Sequence, residues 1–483
     1  MHGKASRGGR GNNIQPFGCR ERGGLTVKKA ALVVIVLIIL ALALPVSNLV
    51  IPAPANRLSN LDTDNAPLKA AAAVLAQKCA GCHVPDAPLP FYATLPVAKD
   101  IMGKDIQRGL RFWNLEEWLA HAAAQPMPEV LLAKLESSIH HDEMPPAQYL
   151  LLHWNHRLSE ADKAVLLAYV ADERAKHYAA PWTAPQFANE PVQPLPQRIE
   201  LDAAKVALGN RLYHDVRLSG DDTISCASCH ALDKGGTDQA RFSTGIGGQV
   251  GDINSPTSLN SGFNFVQFWD GRAATLEEQA DGPVNNPIEM GANWPQVLGK
   301  LTQDAAFMQE FLAVYPQGPS KETITEAIAT FERSLITPDS PLDKYLTGDE
   351  KALSPEALRG YALFKDHHCA TCHVGETLGG QSYEYMGLFE DYFAARGNVQ
   401  KADFGRFNVT QNEADRHKFK VPTLRNIELT FPYFHDGSTS DLKEAVRTMA
   451  QYNAGATLSS ADIDAVVAFL KSLTGTLNGQ PLS

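Results

Sequence analysis

The chain has 483 residues, 44% apolar and 20% charged, with a formal net charge of -11. That length supports two or three domains with separate cores. Charge is unevenly placed: residues 1–29 carry +6, from Lys4, Arg7, Arg10, Arg20, Arg22, Lys28 and Lys29 against Glu21, which leaves -17 on the rest, and so acidic a body argues against nucleic acid as a partner.

The first element in the chain is the apolar run 30–46 (AALVVIVLIILALALPV), which is uncharged and reaches spanning length with residues 47–51. It predicts a transmembrane anchor over residues 30–50. The basic flank, residues 1–29, becomes a cytoplasmic tail, and everything after residue 51 lies on the periplasmic side of the inner membrane. A cleaved signal peptide is the competing reading, with Ala41, Leu42 and Ala43 as a poor cleavage site ahead of Pro45. Both readings lead to the periplasm.

Next come three copies of Cys-x-x-Cys-His: Cys79, Cys82 and His83; Cys226, Cys229 and His230; Cys369, Cys372 and His373. They use six of the seven cysteines and leave only Cys19. Two thiols at this spacing attach to the two vinyl groups of one haem, and the following histidine lies under the ring as an axial iron ligand. A zinc site needs a second ligand pair nearby, and none of the motifs has one. The expectation is therefore three covalently bound haem c groups. Haem then claims every cysteine of the exported part, so no structural disulfide is expected there.

A first haem c domain is expected over residues 62–178. Residues 179–198 contain the stretch PWTAPQFANEPVQPLPQ, whose prolines make it an extended, semi-rigid linker. After it the sequence repeats itself. Gly209-Asn-Arg-Leu-Tyr-His-Asp precedes the second motif and Gly360-Tyr-Ala-Leu-Phe-Lys-Asp the third, with Gly235 and Gly236, then Gly379 and Gly380, downstream. Two haem domains of common design follow, residues 199–337 and 338–476. Ile324, Ile328, Phe331 and Leu335 keep helical spacing, as do Ile463, Val466, Val467 and Leu470, while strand-like alternation is scarce. The fold is expected to be mostly α.

From about residue 199 to 476 the sequence resembles the bacterial di-haem cytochrome c peroxidases. The resemblance is carried by INSPTSLNSGFNFVQFWDGRAATLEEQADGPVNNPIEM (253–290), TPDSPLDKYLTGD (337–349), LGGQSY (378–383), VPTLRNIELTFPYFHDG (421–437) and the last helix, ending AVVAFLKSLTG. Residues 66–170 resemble a separate haem-binding domain, with its Cys-x-x-Cys-His and a later Glu143-Met144-Pro145-Pro146 followed by YLLLH. The whole layout resembles the membrane-bound tri-haem peroxidases that take electrons from quinol.

The resemblance implies roles for named residues. At the third motif His373 is the proximal ligand and Met449 the distal one, with Met386 as rival; a thioether raises reduction potential, which suits an electron donor. At the second motif His230 is proximal, and Gln279 and Glu289 fall on the peroxide pocket, where a carboxylate moves a proton between the peroxide oxygens. Trp269 matches a tryptophan between the two peroxidase haems. Many members place a histidine sixteen residues after the proximal one, where it blocks the peroxide iron; this chain has Ile246 there, and isoleucine cannot ligate. Calcium is implied between the two domains, on Asn254, Thr430 and Pro432, with oxygen ligation as its chemical sense. His435 is equally readable as a structural or a redox residue. At the first motif His83 is proximal and Met144 distal, with Met102, Met127, His140 and His141 as alternatives.

The function so implied is a peroxidase that reduces hydrogen peroxide with electrons from quinol, or from a small cytochrome c or cupredoxin. Two other readings compete. A protein-oxidising maturation enzyme has tyrosine where this chain has Met449, and a pure electron-transfer cytochrome requires all three irons to be saturated by protein.

Overall fold

A computed structural model describes residues 23–482 except 52, 53, 121 and 123. Most of the expected tail, with Lys4, Arg7, Arg10, Cys19, Arg20, Glu21 and Arg22, lies outside the described residues. The chain is mostly helical, with two-residue and three-residue strand pairs as its sheet. By its internal contacts it divides into two bodies. One holds the chain up to Ala53 together with Pro145–Arg157; the other holds Pro54–Met144 and Leu158–Ser483.

In the first body, helix α1 (Gly23–Val50) contains the 22-residue stretch Lys29–Val50. At 1.5 Å per residue this spans about 33 Å, close to the roughly 30 Å hydrocarbon core of a bilayer. Side chains 32–39 are 46–62% exposed. Membrane anchors and signal sequences both have this length and composition. Near its end the Asn48 amide donates to the Leu152 carbonyl (2.8 Å), and the Asn155 amide donates to the Asn48 carbonyl (3.2 Å). Leu151 and Trp154 stay exposed beside that contact.

In the second body, α2 (Ala66–Lys78), α3 (Pro96–Phe112), α4 (Glu129–His140) and α5 (Glu160–His177) pack around Leu68, Leu75, Trp113, Met127, Leu132 and Tyr169. Ser159 and Asp162 form a reciprocal cap that fixes the start of α5. Near the helix end the fully buried Arg174 meets Glu129 (2.7 Å) and Glu136 (3.0 Å) and donates to the Asn189 carbonyl (2.6 Å). Neutralising this guanidinium inside the core takes two carboxylates.

The repeat seen in the sequence is built twice in space. Helix α6 (Ala203–Tyr213) crosses α8 (Lys321–Ser334), and α9 (Pro355–Asp366) crosses α11 (Ser460–Lys471). At each crossing a glycine is required: a Cβ on Gly209 would meet the Ala327 carbonyl at 1.9 Å, and one on Gly360 the Ala465 carbonyl at 1.9 Å. Four residues on, Phe331 and Phe469 flank the same contacts. The apolar positions 324, 328, 331 and 335 of one copy, and 463, 466, 467 and 470 of the other, are all buried.

The Pro-rich stretch is extended but packed. Val192 is fully buried in the core of the second copy and bridges Gly375, Leu195 donates to Asp343 (3.0 Å), and Arg425 donates to the Gln193 carbonyl (3.0 Å). Composition predicts the extension, but the anchoring comes from Asp343 and Arg425, far away in sequence. A short hairpin-like pair, β1 (Tyr383–Tyr385) against β2 (Lys418–Lys420), is antiparallel with Tyr383 opposite Lys420.

Candidate functional site

The first and third motifs follow directly on a helix end, and the second is a separate turn further along the chain. In the first, α2 ends at Lys78 and a single turn, Ala80–His83, carries the second thiol and the imidazole inward. The His83 ring lies edge-on to Trp113 (5.1 Å) and its Nδ1 hydrogen-bonds the Trp113 carbonyl at 2.8 Å. As a donor there, Nδ1 holds the tautomer that leaves Nε2 for a metal. Burial pushes the Cys79 thiol up to about 12 and Cys82 up to about 11, and lowers His83. Of the distal candidates, Met127 is fully buried in the core that holds Cys79 and Ala80. Met144 is half-buried after α4 and Met102 half-buried on α3; His140 and His141 are exposed.

The third motif follows α9 through a left-handed His368 and the turn Cys369–Thr371. His373 Nδ1 hydrogen-bonds the Leu378 carbonyl at 2.9 Å, and burial pushes the ring down to about 4. A cavity of about 240 Å³ opens beside it, and Cys369, Cys372 and His373 all line that cavity. Met449, on helix α10 (Leu442–Tyr452), lines it too, and so does Met386. Two buried thiols, an imidazole with one nitrogen pinned and a thioether around one apolar hollow fit haem c.

The second motif is a single turn, Cys226–Cys229, with His230 just past it. Here burial lowers the ring, while the Gly236 and Pro256 carbonyls and the Asp238 carboxylate pull the other way. Glu289 lies close enough to Cys229 to help raise its thiol. Burial raises the Glu289 carboxyl, against the pull of Arg272 and of the Asn286 amide, which donates to it at 2.8 Å. The loop at Ile246 is tied to the same place, since Ile246 N–H donates to the Glu289 carbonyl (2.8 Å) and the isoleucine side chain lies against Gly220 and Gly291. Gln279 is half-buried on α7 (Leu276–Asn285), with no side-chain hydrogen bond among the described residues.

Trp269 lines the cavity of the third motif, and its indole N–H donates to the Asn254 carbonyl at 2.9 Å. Asn254, Thr430 and Pro432, the three expected calcium positions, line that cavity as well. The Asn254 amide donates to the Ala240 and Arg241 carbonyls (3.0 and 3.3 Å), which leaves its oxygen as the group able to serve a cation. His435 is buried, stacks on Phe419 (4.4 Å) and meets Asp403 at 2.7 Å. Asp403 is held well below the usual carboxylate range by His435 and Arg396, despite burial. This is the setting of a structural histidine.

One feature was invisible in the sequence. Helix α4 lies against the third motif. Lys134 pairs with Glu384 (2.6 Å), Ser137 hydrogen-bonds His368 (2.8 Å), and Phe112, next to the residue that holds His83, lines the His373 cavity. Only tertiary packing brings these together, and no motif spacing signals it.

Thiol pairs with following histidines, in helical domains of this kind, define a protein carrying covalently bound haem c. Residues 203–351 match the di-haem cytochrome c peroxidase family, residues 36–172 a haem-binding domain and residues 357–474 cytochrome c. The chain is 51% identical over 399 residues to cytochrome c peroxidase Ccp of Escherichia coli strain K12, covering 82% of this chain and 85% of that one. It is 46% identical to cytochrome c551 peroxidase of Nitrosomonas europaea, over 60% of this chain and 85% of the relative. Among solved structures it is similar to a MauG-like protein associated with microbial copper homeostasis (TM-score 0.53, 29% identity, 58% of this chain and 95% of that one). The chain belongs to the di-haem cytochrome c peroxidase family, and by that membership it is an oxidoreductase of the peroxidase class.

Proposed function

We propose that the chain is a membrane-anchored, periplasm-facing tri-haem peroxidase that reduces hydrogen peroxide to two waters with two electrons and two protons from quinol. Haem c held at the three motifs would supply the electron storage and the redox chemistry that peroxide reduction needs. The domains proposed are the anchor at 30–50, a first haem domain at 62–178, the linker at 179–198, a peroxidatic domain at 199–337 and an electron-storing domain at 338–476. His83, His230 and His373 are the proximal ligands, with Met144 and Met449 distal on the first and third. Calcium on Asn254, Thr430 and Pro432 braces the last two domains.

The observation that carries the reading is the pairing of Glu289 with Ile246. A carboxyl raised by burial and hydrogen-bonded by Asn286 lies beside the second motif. The position from which a histidine would close that iron holds a side chain that cannot ligate. Glu289 accepts a proton from one peroxide oxygen and returns it to the other, so that water leaves rather than hydroxide. Gln279, its amide free of other bonds, orients the peroxide, and Trp269 offers an aromatic step towards the third motif. Electron entry through the first domain is supported by the packing of α4 on Cys369–Thr371 and by Phe112 in the His373 cavity. Anchoring is supported by the exposed apolar face of α1 and by Leu151 and Trp154 beside its end.

Steady-state peroxide turnover by the full-length holoprotein, with a menaquinol or ubiquinol analogue and then with reduced cytochrome c, tests the donor. Faster turnover with quinol is expected. Turnover with cytochrome c alone would remove quinol from the account.

A further inference from the structure

Lys420 is one of the least satisfied charged groups in the second body. It ends β2 at 5% exposure, opposite Tyr383, and its N–H donates to the Trp269 carbonyl (2.8 Å). Its ammonium has no ion pair and no hydrogen-bond acceptor among the described residues, and burial alone brings it down to about 8. The contrast with its neighbours is sharp. Lys134, also buried, pairs with Glu384 at 2.6 Å, and Arg425, fully buried, pairs with Asp343 at 2.8 Å. A buried ammonium costs several kcal/mol unless something repays its lost hydration. Lys420 lines the cavity that Cys369, Cys372 and His373 also line. Glu384, the other charged side chain on that wall besides Lys420, is already committed to Lys134.

We infer that Lys420 is the cationic seat for a carboxylate of the group this cavity is built to hold: its ammonium pairs with a propionate of the haem attached at Cys369 and Cys372. The inference rests on the haem reading of the third motif and adds what that reading lacks, a fixed orientation of the haem in its slot. A pair formed in the mostly apolar cavity keeps both charges and compensates the negative one, so it also holds the reduction potential of this haem up. Because β2 is hydrogen-bonded to Trp269, the same contact ties the haem edge to the residue proposed as the step between domains.

The test uses full-length holoprotein carrying Lys420→Met or Lys420→Arg, with haem per chain measured first, then resonance Raman spectra of the propionate bending region and a potentiometric titration. Haem content in the wild type tests the haem reading by itself. With content unchanged, Lys420→Met is expected to shift one propionate band and lower one midpoint potential, leaving the other haems alone, while Lys420→Arg restores both. Unchanged band and potentials in Lys420→Met overturn the inference, as does Lys420→Arg behaving like methionine. Should Lys420→Met fail to load the third motif, Lys420→Gln joins the series. Loading rescued by arginine but not by glutamine supports the pair, and loss in all three variants overturns it.

Discussion

The surroundings of His230 and His373 began as copies and have diverged in opposite directions. Around His373 the imidazole is pinned to the Leu378 carbonyl and two methionines, Met386 and Met449, line the same hollow. Around His230 the neighbouring acid is Glu289, its carboxyl raised by burial, and the loop bonded to that residue carries Ile246. The shared frame is the helix crossing at Gly209 and Gly360, which needs the same absent Cβ in both copies. What differs is the loop chemistry laid on that frame. A single duplicated scaffold thus carries one motif beside a methionine-lined hollow and one beside a buried carboxyl.

The comparison can be broken at the proton-transfer side first. Glu289→Gln removes the acid-base group while keeping the shape, and peroxide turnover is expected to fall by about 10² to 10⁴-fold, the usual worth of such a group; haem content should not change. The same residue sets the acid limb of the pH profile. Its carboxyl titrates above the ordinary glutamate range because burial disfavours the anion, so activity should fall on acidification at a higher pH than a solvated glutamate would give. A limb at the ordinary value would show that Glu289 is solvated during turnover.

On the other side, Met449→Ala takes the thioether from the His373 cavity. The expected result is a lower midpoint potential for one haem and loss of its thioether-ligand absorbance, with peroxide binding at the other site intact. If Met386→Ala gives that result instead, the two methionines exchange roles. Trp269→Phe is expected to do less. It keeps an aromatic ring in the cavity but loses the bond to the Asn254 carbonyl, so the rate of electron passage between the domains should drop with both potentials unmoved. An unaltered rate places the path elsewhere.

The smallest expected effect concerns the cost of the second copy. Glu332 is buried beside the second motif, with Oε2 unpartnered, and burial pushes it up to about 8. The folded chain holds the proton while the unfolded chain releases it near 4.5, so stability is fully present below about 4.5 and is eroded as pH rises towards about 8. Urea midpoints measured across that window should fall in the wild type and flatten in Glu332→Gln. Parallel slopes in the two proteins would mean that Glu332 finds a partner on haem binding.

Much of this was legible in the sequence, because its signals were local. The thiol spacing marked three sites, the repeat around Gly209 and Gly360 marked two domains of common design, and the apolar positions on the helices 321–334 and 460–471 are buried where periodicity put them. Distal positions were harder. Met127 sits fully buried in the first core while Met144 is only half-buried, and sequence spacing has no means of ranking a methionine whose approach depends on a loop fold. The contact of α4 with the third motif and the isolation of Lys420 left no local trace at all. Each depends on residues about 230 positions apart or more, or on a partner that the chain itself does not contain.

The central claim is that the iron carried by His230 is open at rest while that carried by His373 is not. Electron paramagnetic resonance of the fully oxidised, full-length holoprotein tests it without turnover. A high-spin signal from one haem, altered by Glu289→Gln and untouched by Met449→Ala, is the predicted result; a low-spin, bis-nitrogen signal from the haem at His230 would contradict it.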